Sequence, residues 1–372
     1  MAKMKGNKGE WAELYAFCKI LSSGLITSSR HNPDGQPKSL KVTRIIRTEH
    51  EKDIDYVAEG LAIKIQLDAG QSTPKTIRTT EFQAAADAIF NAIKTNKSTF
   101  EVPAVADFFT KIGVTSLKST RGRKTDLVCL VHDEVVNADN ELHLSIKSFF
   151  TAPPSLLNAS SATIATFCLD RIISPTQMSK LNRLGPKALV SDLKNQGIKI
   201  SFRNFRNEKF EANLRMIDTE MPQMLGELIL LKYLSKGTEG DMVSALTLNL
   251  VHKDPLRVGD KNAGDFYTNK IKNLLTDVAF GLTPTMQWDG EHVATDFLLI
   301  SSKGELACVR SHYRKNLRTY LLESTRFDTP SSRAFGEMLR IDGKTCVLNL
   351  NFQIRLTEPR TNGVRRSPRQ RT

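Results

Sequence analysis

Paired cysteines are missing from this chain. Its five, Cys18, Cys129, Cys168, Cys308 and Cys346, are scattered without a CxxC spacing, and several fall inside apolar runs where a free thiol behaves as a small hydrophobe. That argues against structural zinc and for thiols kept reduced in a cytoplasm. Long apolar runs are missing too: none approaches the roughly twenty residues of a membrane span, and the N-terminus lacks a signal-peptide core, so a cytoplasmic chain is expected. There is no HExxH, no HNH-like cluster and no Ser/His/Asp ordering, and the seven histidines are dispersed. Of these, His132 and His143 are expected to approach one another across a hairpin as packed or lining groups. The segment from Gly336 to Thr345 ends in Gly-Lys-Thr, yet six residues separate its glycines where a phosphate-cradling loop needs about four, so it reads as a hairpin turn and implies no ATPase. Internal repeats and coiled-coil heptads are absent.

What is present is a basic, globular composition. With 372 residues, 40% of them hydrophobic, the chain is long enough to bury a sizeable core, as two lobes or as one large domain with an appendage. A formal charge of +13 and a pI near 9.5 favour a polyanionic partner, because lysines and arginines that displace condensed counterions supply most non-specific affinity for DNA. Arg360, Arg365, Arg366, Arg369 and Arg371 account for part of that charge, but removing them still leaves the body at +8. The segment 359–372 has almost no apolar residues and reads as a disordered basic tail.

The densest chemistry lies between Lys124 and Ser161. Asp126 opens a short apolar run, Leu127 to His132, that reads as a strand buried on both faces. After a polar loop the chain returns as Leu142-His143-Leu144-Ser145-Ile146-Lys147, a clean alternation with Leu142, Leu144 and Ile146 on one face and His143, Ser145 and Lys147 on the other. Pairing about a midpoint near Asn137 predicts Asp126 opposite roughly Ser148 and beside Lys147.

A carboxylate and an ammonium meeting at one end of a sheet suit phosphodiester hydrolysis. A divalent ion held by a hard oxygen ligand such as Asp126 neutralises the phosphate and lowers the pKa of an attacking water; magnesium is the expected ion, Mg2+. A nearby lysine orients or deprotonates that water, or meets the charge that builds on the phosphorane. The pattern is similar to that of the PD-(D/E)XK nucleases, with two departures: Thr125 stands where the proline would be and Ser145 where the second acid would be. Another acidic ligand must then come from elsewhere. Asp170 is far for that job, whereas Glu10 and Glu13 lie three apart on one face of a helix opening near Gly9. Alone, an Asp at a strand start and a Lys at a strand end also fit a surface salt bridge.

The blocks GNKGEWAELY from Gly6, LSIKS with PSLLNASSAT between Leu144 and Thr163, and YLLESTRFDTPSSRAFG through LNLNFQIRL between Tyr320 and Leu356 resemble the HpaII family of type II restriction endonucleases. They span essentially the whole chain to about Glu358 in the family's order. The resemblance implies a magnesium-dependent, homodimeric endonuclease that cuts double-stranded DNA at a short palindromic site, CCGG being the family's namesake, beside a DNA cytosine methyltransferase that protects the host. Carried over by position, the nuclease residues are Asp126, Lys147 and a glutamate of the first helix, with Glu13 favoured because it stands four after Gly9, as in the GxxxE helix of resolvase-like nucleases. Leu181 to Thr319 matches nothing quotable. A repair or junction-resolving nuclease of the same fold would nick by structure where a restriction enzyme gives discrete bands, and a non-catalytic DNA-binding protein such as a repressor would show no metal-dependent cutting.

The order of elements predicts an α/β core, a central mixed sheet flanked by helices, with a mixed helical and β-hairpin C-terminal region. The expected division is a nuclease core over 1–170, a DNA-recognition and dimerisation region over 171–358, and the tail. The first helix is expected over about Glu10 to Ser22, stopped by Gly24. Arg121, Arg123 and Lys124, just before Asp126, either grip phosphates or form a solvated turn. Pro153 to Thr163 reads as a capped helix start, where Ser155 and Asn158 either cap or touch the DNA backbone. Arg203, Asn204 and Arg206 have the chemistry to read base edges, while Phe202 and Phe205 belong to the core. A long polar loop from Glu323 carries Arg326, Ser331, Ser332 and Arg333, the first choice for base reading, since arginine makes bidentate contacts to guanine.

Overall fold

Asn7 starts the first helix, Lys8–Ser23, by accepting from the backbone N–H groups of Gly9 (2.8 Å) and Glu10 (3.1 Å), while the Glu10 carboxylate takes the Asn7 N–H at 2.9 Å. This reciprocal pair satisfies donors that a helix start leaves unpaired. Gly24, at φ 67°, ends the helix in the left-handed conformation that glycine adopts without a Cβ clash. The computed structural model of the chain describes residues 4–28, 38–67, 73–119, 125–133, 137–292, 294, 296–310, 314–331, 334 and 336–358. Among these, no helix is long and apolar enough to cross a membrane.

The first helix packs against a second, Thr79–Thr95, and both lie against one face of the largest sheet. Its order is Leu306–Val309, Asp296–Ile300, Ala138–Ser148, Leu127–Asp133, Ser39–Glu49, Lys52–Glu59, Ala62–Gln66 and Lys75–Arg78, with Leu25–Thr27 paired beside the start of Ser39–Glu49. Every pair is antiparallel except Asp296–Ile300 on Ala138–Ser148. Parallel neighbours need a long crossover, and here the crossover is the whole of 149–295. The expected α/β architecture, a mixed sheet flanked by helices, is therefore what the chain forms.

Apolar burial falls into two clusters. One gathers residues between Trp11 and Ile146 with Leu298, Ile300 and Cys308; the other gathers residues between Phe149 and Leu356. The second is built on helices such as Met221–Leu234 and Asp260–Phe280 and on two smaller sheets. One of these has the order Ile200–Phe205, Ala165–Leu169, Thr345–Leu350, Leu339–Asp342; the other has the order Ser155–Leu157, Gln353–Leu356, Thr325–Asp328.

Several local expectations change. Pro153 to Thr163 is not a helix start: Ser155–Leu157 is a strand on Gln353–Leu356, and the cap is Ser160, whose hydroxyl accepts from Ala162 N–H ahead of a single 3-10 turn, Ser161–Thr163. Its backbone pairs with the last strand, Ser155 opposite Arg355 and Leu157 opposite Ile354, and Leu156 and Leu157 are buried there. The loop from Glu323 holds a strand, Thr325–Asp328, because Thr325 and Phe327 alternate into the core. The two histidines do not meet. His132 pairs with Asp139 (2.9 Å) and His143 with Glu141 (2.8 Å), each along its own part of the hairpin. All five cysteines are free, and burial pushes the Cys18 and Cys129 thiols well up. Phe205 is buried and Phe202 packs partly against the same cluster, as expected.

Candidate active site

The hairpin that carries Asp126 and Lys147 forms, in a different register from the expected one. Leu127 pairs with Leu144 rather than with Lys147, so the ladder is displaced and Asp126 comes level with Ser145. The ladder runs on to Asp133 paired with Ala138, and Asn137 just before Ala138 takes a left-handed φ of 47°. Asp126 lies one residue outside the 127–133 strand. Its N–H donates to Leu144 O at 2.8 Å, and its carboxylate accepts the N–H of Ile146 at 2.6 Å. The side chain thus supplies the acceptor that the ladder runs out of, which fixes the carboxylate at the sheet's end.

Which face the site occupies follows from alternation. Leu142, Leu144 and Ile146 belong to the cluster beneath the first helix, so Ser145 and Lys147 lie on the other face of their strand. Ser145 is buried, 1% exposed, beside Phe297 of the parallel neighbour. Lys147 keeps part of its surface open.

Glu13 is partly buried on the first helix and reaches the same centre. Burial pushes its carboxyl up to about 8, helped by the neighbouring charge of Asp126 and opposed by Lys118, Arg47 and Lys147. Lys147 moves the other way. Burial lowers its ammonium, while Asp126 and Glu13 pull it back up. Three groups, one on a strand, one just ahead of its neighbour and one on a helix, therefore share one electrostatic environment, in which burial has removed water faster than pairing has replaced it. Clusters of this kind are where acid–base and metal chemistry is found.

Glu10 behaves differently. Its carboxylate caps the helix through the Asn7 N–H and lies 3.5 Å from the ammonium of Lys118. Among the described residues, no group of three or more His, Cys, Asp or Glu side chains could hold a metal ion. The donors at the centre are two carboxylates, Asp126 and Glu13, and hard oxygens of that kind fit magnesium, which is bound through one or two carboxylates and keeps several waters. Burial, and after it the charge of Asp126, raises Glu13, and a divalent cation held by these carboxylates would offset both.

Of the recognition candidates, Ser155 and Arg326 are brought together. Arg355 pairs in register with Ser155 on one side and with Arg326 on the other, so the three lie level across adjacent strands. Arg326 lies 3.5 Å and Arg355 3.2 Å from the Asp328 carboxylate. Asn158, Arg206 and Ser331 are exposed, and Arg203, also exposed, is ion-paired with Asp342 at 2.6 Å on a different sheet. Arg121, Arg123, Lys124, Ser332, Arg333 and the 359–372 tail lie outside the described residues. Sequence reading missed Lys118, Arg47 and Arg355. No periodicity or spacing marks them, because each reaches its neighbours through contacts made only in the folded chain.

With this geometry in place, comparison with known proteins gives a consistent result. A family profile described as HpaII restriction endonuclease matches residues 7–356. The type II restriction enzyme HpaII of Haemophilus parainfluenzae is 32% identical over 356 residues, covering 94% of this chain and 98% of that protein. No solved structure matches the chain.

Proposed function

This chain belongs to the HpaII restriction endonuclease family, and from that premise we propose a magnesium-dependent, site-specific cut in which Asp126 and Glu13 hold the cation and Lys147 positions the attacking water. One observation carries the reading: the mutual electrostatic influence of Asp126, Glu13 and Lys147 at the end of the hairpin. Magnesium there would neutralise the scissile phosphate and acidify water. Asp126 is held for this by the Ile146 N–H. Glu13 would supply the second carboxylate from the helix, in place of the acid that Ser145 replaces, and would have to be deprotonated to ligate the cation. Lys147 orients the water and meets negative charge developing on the phosphate, while Ser145 lines the pocket beneath it. Glu10 serves the helix start.

The substrate is double-stranded DNA with a short palindromic site, CCGG on the family's pattern. A homodimer would present each half-site to one nuclease core, 1–170, with the 171–358 region supplying recognition and subunit contacts. Arg326, Ser331, Ser332, Arg333, Arg203 and Arg206 are the base-reading candidates. Arg121, Arg123, Lys124, Ser155 and Asn158 are the backbone-gripping ones. Self-cleavage would be prevented by a cytosine methyltransferase acting on the same site. Digestion of methylation-free phage DNA with Mg2+, followed by end sequencing, tests the proposal: discrete fragments sharing one terminal sequence are expected, and random nicking or no metal-dependent cleavage would overturn it.

A further inference from the structure

We propose that Lys118 is a further working residue of this centre, gripping a DNA backbone phosphate beside the scissile bond, and that the buried Arg47–Glu49 pair positions it. The proposal deepens the nuclease reading above and rests on it.

Arg47 and Glu49 have side chains only 1% and 4% exposed and meet at 2.6 Å. Together they clamp one turn of chain from both sides. The second oxygen of Glu49 accepts from Thr115 N–H (3.2 Å), the Thr115 hydroxyl (2.6 Å) and the Ser116 hydroxyl (2.9 Å), and Arg47 donates to Ser116 O at 2.6 Å. The Ser116 hydroxyl also lies 2.7 Å from Lys118 O, and the Ser119 hydroxyl lies within hydrogen-bond reach of the Thr48 backbone. Between them Leu117 packs on Gly6 so closely that a Cβ there would stand 2.2 Å from its Cδ1. The run 115–119 is thus pinned against the 39–49 strand and against Gly6, just ahead of the first helix.

What this clamp presents is Lys118. Its side chain is 62% exposed, its ammonium lies 3.5 Å from Glu10, and its charge is felt at Glu13. An exposed ion pair adds little to stability, and burying a second pair to hold it is weak evidence of stability as well, though it can fix geometry. A polyanionic backbone that approaches two carboxylates needs cations at the entrance, and Arg47 is too buried to reach it. Lys118 can exchange Glu10 for a phosphate oxygen in a charge-assisted contact.

Fluorescence anisotropy of a short CCGG-containing duplex, titrated without divalent metal over a range of salt, tests this. Lys118→Gln should weaken binding and flatten the slope of log affinity against log salt by about 1.8, the loss of one phosphate contact from each subunit of the dimer. Lys118→Arg should recover the slope. Glu49→Gln, acting through Lys118, should flatten it equally, and the double variant no further. An unchanged slope in Lys118→Gln overturns the contact, and additive losses in the double variant overturn the positioning role. Asp126→Ala separates this from the parent reading. If it abolishes cleavage while Lys118→Gln keeps the full slope, the inference fails and the nuclease assignment stands. If Asp126→Ala still cleaves, the assignment fails whatever the slope.

Discussion

The hairpin site and the sheet formed by Ser155–Leu157, Gln353–Leu356 and Thr325–Asp328 both gather charge, and they accommodate it in opposite ways. At the hairpin, burial outruns pairing: Glu13 is pushed up to about 8 and Lys147 is lowered. At the sheet, Asp328 sits between Arg326 and Arg355, and all three side chains remain 23–35% exposed. The first arrangement leaves a large interaction for a cation to satisfy, as a catalytic metal site requires. In the second, two guanidiniums share one carboxylate in partial contact with water, so an arginine can leave it for another acceptor at small cost. The proposed chemistry thus falls in the first region and the proposed recognition contacts in the second.

The comparison is broken most directly by removing the hairpin charges. Asp126→Ala and Lys147→Ala should each reduce cleavage by about 10³-fold or more while DNA binding in a gel shift changes little; retained cleavage would erase the contrast. Next, Glu13→Gln should reduce cleavage by about 10²-fold or more, whereas Glu10→Gln should stay within about tenfold, because an amide oxygen can still accept the capping N–H. Equal losses in a parallel assay would return Glu10 to the metal site.

A pH series sharpens the same point. Glu13 has a folded pKa raised from 4.5 to about 8, so its preference for the protonated form stabilises the metal-free fold fully below pH 4.5, and that stability is lost as pH rises towards 8. Glu13→Gln lacks this loss. Denaturant titration of metal-free protein should show the variant gaining on the parent by about 1–3 kcal/mol between pH 5 and 8, and a gap independent of pH would mean that Glu13 is not desolvated beside Asp126. The smallest effect is expected in the second region. Arg326→Ala should leave kcat nearly unchanged and relax discrimination at one base pair by about 1–3 kcal/mol, read from cleavage of single-base variants of the site.

Legibility in the sequence divided along physical lines. Alternation in Leu142 to Lys147 exposed the returning strand, since burial on one face has a period of two. Register was not legible, because the run Leu127 to Val131 is apolar at every position and so does not mark which of its faces meets the returning strand. Spacing put Glu10 and Glu13 on one helix face, but only the capping box at Asn7 separated their environments. The strand Thr325–Asp328 was hidden because two of its four residues are charged and the apolar signal rests on Phe327. Lys52–Glu59 escaped although Ile54 and Tyr56 alternate with Asp53 and Asp55, because aspartate is depleted in strands and the alternation covers only four residues. Arg47, Glu49 and Lys118 were invisible, because a turn more than sixty residues away from the pair completes the network.

Calorimetric titration of Mg2+ into the protein near pH 7, repeated in buffers with different ionisation heats, tests the central claim that Asp126 and Glu13 share a cation. Since Glu13 carries its proton in the metal-free state, binding should release about one proton per ion, and both the binding and the release should disappear in Asp126→Ala. In Glu13→Gln the affinity should fall and the proton release should vanish. Undiminished magnesium affinity in either variant, or binding without proton release in the parent, would contradict the account.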